Sequence, residues 1–396
     1  MSRILVSLGI SSLFNFFHYF YFLFWYVLYL ISDIISDRKH KIHFFILFLL
    51  VFFFLSTIIN GVSVINFFIS FLLLSQPFIL LYLFYYHVDK CLLSKVFLCV
   101  ILLNTVMAFV QYLILGYRVD NVRGLFLDMG AGAHICGIFA ICAMLYFFIY
   151  RKGVIRFIGV ITQLLVLVFC DNKQSLFVLL ISLLIFGVFH IKKFIQKIYV
   201  ILLFLICCLG VYILSQTIFT ALQSYLDFKK VFTGILLKLK VFLYMAKEGT
   251  VLNYLVGFGA GMTVSRTAQI LPDYSILINF GATISPLHEK LFSIMQSHWL
   301  TNSVTGSSMF SFYFSYAGII GDFGLIGFIV LLLGYFLILG RKCESKFTKL
   351  IFIFFFLHGF IFQWIEEPQF VGLFIILICC FSKDKINNAN CECLYE

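Results

Sequence analysis

The sequence predicts an all-α integral membrane protein with 11 or 12 transmembrane helices and one large outer loop of about 90 residues. Three observations predict it. Of 396 residues, 63% are hydrophobic and only 11% charged, where a soluble domain carries roughly 25% charged residues. Apolar runs of about 20 residues, the length of a spanning helix, recur along the whole chain. Basic residues gather in every second connection, as they do on the cytoplasmic side of a membrane. The same composition excludes a soluble enzyme, a disordered chain and a collagen-like fibre. Continuous apolar runs also argue against a β-barrel, whose strands would alternate polar and apolar.

The first run, Ile4 to about Ile35, is too long for a cleavable leader and is read as the first span. It stops at Asp37-Arg38-Lys39-His40-Lys41. A tight helical pair inside this run would raise the count from 11 to 12. Further spans are expected over about 44–59, 62–84, 96–115, 132–150, 154–170, 175–190, 198–218, 314–339, 350–363 and 369–382. Alternate connections hold 17 of the 28 basic residues, among them Arg38, Lys90, Arg151, Lys192 and Arg341. That side is therefore cytoplasmic, and the net charge of +11 is a topology signal rather than a nucleic-acid surface. The chain is expected to be a single membrane domain: N-terminal spans in 1–219, the outer loop in 220–313, C-terminal spans in 314–382 and a cytoplasmic tail in 383–396.

The outer loop breaks the charge pattern. It carries seven basic residues against four acids, and loops of this length escape the positive-inside constraint. Two explanations fit: attraction to anionic lipid headgroups, or an anionic substrate. The loop begins with an amphipathic helical pattern, Phe228, Phe232, Ile235, Leu239, Phe242 and Ala246, with Lys229, Lys230, Lys238, Lys240 and Lys247 mostly on other faces. Gly257-Phe258-Gly259-Ala260-Gly261 follows. It lacks the strand-helix-strand context of a dinucleotide site and reads as a tight turn or close backbone approach. The 12 cysteines include none between Cys208 and Cys343, so the loop has no disulfide of its own.

Ionisable residues in or beside spans are costly and therefore candidates for function. Arg123, just before a span on the outer side, is either an interfacial snorkelling arginine or a fork for phosphate oxygens. Lys173, in Asp171-Asn172-Lys173-Gln174, belongs to a polar turn or points into the bundle as a second phosphate ligand. Arg266 follows the glycine cluster. His298, beside Trp299, is placed to take a proton from an acceptor hydroxyl, with His288 a weaker competitor. Asp322 within a span, and Glu366 and Glu367 at the end of one, are suited to line a polar cavity or orient a base. The chain has no D-x-D pair, P-loop, H-E-x-x-H or G-x-S-x-G motif. Its substrate must arrive already activated, or a gradient must drive it, and no cofactor or metal is called for.

Arg118-Val119-Asp120-Asn121-Val122-Arg123-Gly124-Leu125-Phe126, Asn172-Lys173-Gln174-Ser175, Leu255 to Gly261, and His298 to Ile326 with Phe323-Gly324-Leu325-Ile326-Gly327 carry a resemblance. Together with the layout of spans and loop, they resemble the bacterial O-antigen polymerase and O-antigen ligase superfamily. Lys173 stands where relatives often have arginine, and Trp follows His298 where ligases commonly have Asn. The resemblance implies a polytopic bundle of the GT-C type in the bacterial inner membrane. It implies a metal-independent, inverting glycosyltransferase that uses undecaprenyl-diphosphate-linked oligosaccharide on the periplasmic face. His298, Arg123 and Arg266 are then the expected catalytic residues. Lys173, Lys229, Lys230, Lys240, Asp322 and Glu366 are the expected substrate contacts. Expected partners are membrane lipid and a chain-length regulator, and no nucleic acid. A repeat-unit polymerase is the leading expectation; a ligase and a lipid-linked oligosaccharide flippase or transporter are the alternatives.

Overall fold

A computed structural model describes residues 17–38, 40–118, 121–126, 132–217, 228–301 and 311–382. All regular structure among them is helical. The first half holds α1 (Phe17–Ile35), α2 (Lys41–Ile59), α3 (Val64–His87), α4 (Lys90–Phe109), α5 (Gly132–Tyr150), α6 (Gly153–Phe169), α7 (Lys173–His190) and α8 (Phe194–Thr217). The long connection folds as α9 (Phe228–Glu248), α10 (Val251–Val256), α11 (Arg266–Ile270), α12 (Ser275–Asn279) and α13 (Pro286–Thr301). The chain closes with α14 (Ser315–Gly334), α15 (Lys346–His358) and α16 (Pro368–Phe381). Polar residues set several starts. Ser63, Asp89, Asn172 and Ser345 each accept a first-turn amide of the helix that follows, meeting donors a helix leaves unpaired.

The helices form one bundle around α3. Its apolar window is 89% buried, against 17% for α1, so α3 faces protein all round and α1 leaves most of its surface outward. Phe78 on α3 touches Phe45 and Tyr335, while Phe355 stacks on Phe370 and Phe374. Exposed Phe, Leu and Ile on α1, α2, α6 and α8 form the outward surface. In water that surface would be a liability; against lipid it is the expected exterior.

Direct contacts sort the helix ends into two faces. At one, Lys342 lies over Tyr85, Tyr150 meets Phe347 and Phe381, and His40 meets Tyr86. This is the basic face. At the other, the α2–α3 turn meets the long connection: Asn253 donates to Asn60 Oδ1, and Asn66 donates to the carbonyls of Ala260 and Thr283.

Among the described residues, seven helices have the length and hydropathy to cross a membrane: α1 to α5, α7 and α14 with its continuation to Lys342. The expectation of 11 spans is thus met only in part. The other four expected spans, over 154–170, 198–218, 350–363 and 369–382, fall on α6, α8, α15 and α16, where the described apolar stretches are shorter. α15 and α16 have 13 and 14 residues, a rise of about 20 Å against a hydrocarbon core of about 30 Å. The chain between them, 359–367, is not α-helical but is largely buried in protein. Its amides and carbonyls pair locally and with Ser315, the condition under which irregular backbone is tolerated inside a membrane protein.

Candidate functional site

The ionisable residues of the face opposite the basic one are organised by an interlock between the glycine segment and α14. Gly324 has φ +67 inside α14 and breaks it. The break frees the carbonyls of Gly321 and Asp322, which accept from Phe258 N (2.8 Å) and Gly259 N (2.9 Å). Gly257 has φ +85, and a Cβ there would sit 2.1 Å from the Asp322 carbonyl oxygen. Only glycine allows both the turn and the approach. The Asp322 carboxyl then accepts from Gly261 N (2.6 Å), Met262 N (3.2 Å), Thr263 N (3.0 Å) and Thr263 Oγ1 (2.7 Å). Four donors fill a carboxylate's acceptor positions. Asp322, expected as a substrate contact, is fully buried and spent on holding this loop.

The loop delivers Arg266 to the first turn of α11, where Ser265 caps the helix. The Arg266 amide donates to Glu366 Oε2 (2.8 Å), and its guanidinium meets Glu367 at 3.2 Å and Gln269 Oε1 at 2.8 Å. Two expected site residues 100 positions apart are thereby in direct contact. Gln363 supports the pair by donating to the Val264 carbonyl at 2.6 Å. Glu366 is buried, and its Oε1 has no hydrogen-bond partner among the described residues. Burial pushes its carboxyl up to about 8, with the Arg266 amide opposing the shift. Near neutral pH it therefore holds a proton that an ordinary carboxylate would have lost.

The other cations lie along the same rim. Trp364, two residues before Glu366, packs edge-on against His134 with ring centroids 6.1 Å apart. The His134 carbonyl accepts from Asn172 Nδ2 (2.7 Å), and Asn172 caps α7 just before Lys173. Lys173 is paired with Asp171 at 2.7 Å. At the start of α5, the stem of Arg123 lies 3.3 Å from where a Cβ of Gly132 would stand. Gln111 fixes the Arg123 turn: its Oε1 accepts the amides of Arg123 and Gly124, each at 2.8 Å, and its Nε2 donates to the Gly124 carbonyl. Gln111 sits in a π-turn, Val110–Ile114, that continues α4; such turns re-aim side chains within a helix. The Arg123 guanidinium touches Asn121 at 3.3 Å and meets no carboxylate among the described residues.

The helix α9 differs from its sequence reading. The stripe Phe232, Ile235, Leu239 faces outward as the pattern implies, but Leu237, Lys238, Val241 and Met245 form a second, buried stripe. Lys238 donates to the Ile361 carbonyl (2.7 Å) and lies 4.7 Å over the Phe314 ring. Burial holds its ammonium well below the usual lysine range. Lys240 is exposed. The side chains of Lys229, Lys230 and His298 lie outside the described residues.

Sequence reasoning ranked His288 below His298, yet His288 is tied to the loop. Its Nδ1–H donates to the Thr263 carbonyl (2.7 Å), which leaves Nε2 as the basic nitrogen. Burial moves this imidazole below its usual range. His358 was missed altogether. It bonds the Phe354 carbonyl (2.8 Å) and Ser175 Oγ (3.2 Å), joining α15 to α7 behind Lys173. No group of His, Cys, Asp and Glu among the described residues has metal-holding geometry. The chain matches no family model and no curated protein sequence.

Proposed function

We propose that the chain is a polysaccharide repeat-unit polymerase of the bacterial inner membrane, a multi-pass glycosyltransferase of the GT-C type. It transfers glycan from an undecaprenyl-diphosphate donor to a lipid-linked acceptor at the periplasmic face, with inversion and without metal. The observation that supports this best is the contact of Arg266 with Glu366 and Glu367 on the rim that also carries Arg123 and Lys173. Diphosphate is a leaving group whose charge grows as the glycosidic bond breaks, and guanidinium groups are the side chains best shaped to receive it. Among the described residues, two of the five Arg266 side-chain donors are engaged, which leaves others for phosphate.

In this reading the acceptor hydroxyl oxygen bonds to the anomeric carbon as that carbon's bond to the phosphate oxygen breaks. The diphosphate leaves on its lipid, its charge met by Arg266, Arg123 and Lys173. The hydroxyl proton passes to Glu366 Oε1 in the fraction of molecules whose Glu366 carboxyl is ionised; this oxygen has no hydrogen-bond partner among the described residues. The outward apolar stripe of α9 lies in the membrane surface and brings the loop to the carrier lipid. A chain-length regulator is the expected protein partner.

The transporter reading has one observation in its favour, the break in α14, because discontinuous helices build many transporter sites. Here the carbonyls freed by the break are occupied by loop amides, which leaves less for an ion. Deletion in the parent organism followed by glycolipid electrophoresis separates the three functions. Loss of a polymerase leaves single repeats on surface lipid and no ladder. Loss of a ligase leaves long chains on carrier lipid and bare core. Loss of a flippase leaves single repeats on carrier lipid facing the cytoplasm. A ladder persisting in the deletion strain, with no second polymerase encoded, overturns the proposal.

A further inference from the structure

The basic face carries a groove remote from this rim, and the proposal below does not depend on the glycosyltransferase reading. α2 and the end of α14 touch where a Cβ on Gly334 would meet the Phe45 ring at 2.1 Å. Beyond that contact α14 leaves α-helical geometry: Tyr335–Leu339 is a π-turn and Gly340–Lys342 a 3-10 turn. A cavity of about 650 Å³ opens between the two helices, floored by Leu81 and Tyr86 of α3. Its walls are apolar, with Phe45 from α2 and Leu333 and Leu337 from the α14 side. Its mouth is cationic: among the described lining residues, Lys41, Arg341 and Lys342 stand against one carboxylate, Glu344.

The cations differ in how far the protein satisfies them. Lys342 is occupied, lying 4.0 Å over the Tyr85 ring and 5.4 Å over Tyr86. Lys41 and Arg341 are exposed, and neither makes an ion pair among the described residues. An apolar groove ending in two free cations at the level where helices leave the membrane matches one kind of molecule, an amphiphile with an anionic head. Basic pockets between spans recognise phospholipid headgroups in this way.

We infer that this groove binds one anionic phospholipid, with the phosphate between Lys41 and Arg341 and the acyl chains along Phe45, Leu333 and Leu337. Each basic residue near the surface strengthens such binding by about fivefold, so neutralising two should weaken it roughly thirtyfold. Native mass spectrometry of the full chain, exchanged into phosphatidylglycerol or into phosphatidylcholine of matched chains, reads this directly. The parent protein should retain one phosphatidylglycerol and far less phosphatidylcholine. Lys41→Gln with Arg341→Gln should fall to the phosphatidylcholine level. Lys192→Gln with Lys193→Gln, which removes two exposed cations elsewhere, should bind as the parent does. Thermal melting of all three without added lipid should coincide, which excludes misfolding as the cause. Equal retention of the two lipids by the parent, or undiminished phosphatidylglycerol in the Lys41/Arg341 variant, overturns the inference. So does a loss of equal size in the Lys192/Lys193 variant. Displacement of the lipid by millimolar inorganic phosphate does the same, because it would make a free anion the ligand.

Discussion

Asp322 is the side chain on which the whole rim is hung, and replacing it with Asn should loosen one segment selectively. Its carboxyl accepts the amides of Gly261, Met262 and Thr263 and the Thr263 hydroxyl, at 2.6 to 3.2 Å. Asn keeps one oxygen and turns an NH₂ group toward donors, so about two of the four bonds are lost. Hydrogen bonds to a charged group contribute about 1.5–3 kcal/mol each. Taking the lower figure, opening of the segment becomes easier by about 3 kcal/mol, or roughly a hundredfold in amide exchange. Hydrogen–deuterium exchange of purified Asp322→Asn should therefore rise by that order in a peptide covering 257–265. A peptide from the middle of α5 should stay at the parent's rate, since α5 packs around Phe139 and Tyr146 away from the loop. Unchanged exchange in 257–265, or an equal rise in both peptides, would refute the claim that Asp322 acts as a local anchor.

Other perturbations follow from the same geometry. Gly257→Ala forces a Cβ against the Asp322 backbone at positive φ and should abolish monodisperse protein in size-exclusion chromatography. Gly281→Ala has the positive φ with open space around it and should cost only about 1–2 kcal/mol. Glu366 has its folded pKa raised to about 8 from an ordinary 4.5. Its contribution to stability is complete below about pH 4.5 and fades as pH rises through 8. The melting temperature of the parent should thus fall between pH 6 and 9 relative to Glu366→Gln; parallel curves would remove the buried acid from the account. If the ionised form takes the acceptor proton, polymerisation should rise with pH toward 8 in the parent and stay low and flat in Glu366→Gln. Reporter fusions at Ser285 and Cys343 should report opposite sides of the membrane, and the same side from both would contradict the topology.

The sequence showed helices wherever the apolar run and its flanking polar residues were both local. The run expected over 132–150 is α5 at Gly132–Tyr150, and the polar turn around Asn172 is the start of α7. α15 and α16 were read as full spans because hydropathy does not distinguish lipid from protein. They are apolar because they pack on α3, α7 and each other, and they need not be long. Lys238 was placed on a polar face for a related reason. α9 has two apolar stripes, and only the fold decides that the one containing Lys238 meets Phe314 and Ile361. The contacts of Arg266 with Glu366 and of His288 with Thr263 join distant segments. Arg266, Glu366 and His288 were visible as candidates, but nothing in the neighbourhood of any of them names its partner.

Polymer formation by the purified protein tests the central proposal most directly. The chain in liposomes would be given undecaprenyl-diphosphate-linked repeat units, with no nucleotide and with chelator present, and its products separated by electrophoresis. The proposal predicts a ladder of lengthening chains with release of undecaprenyl diphosphate. It predicts no ladder from Arg266→Ala inserted at the same level, and a residual ladder from Arg266→Lys, which keeps charge but not the fork. Repeat units that stay single while the parent protein is folded and inserted, or a full ladder from Arg266→Ala, would contradict it.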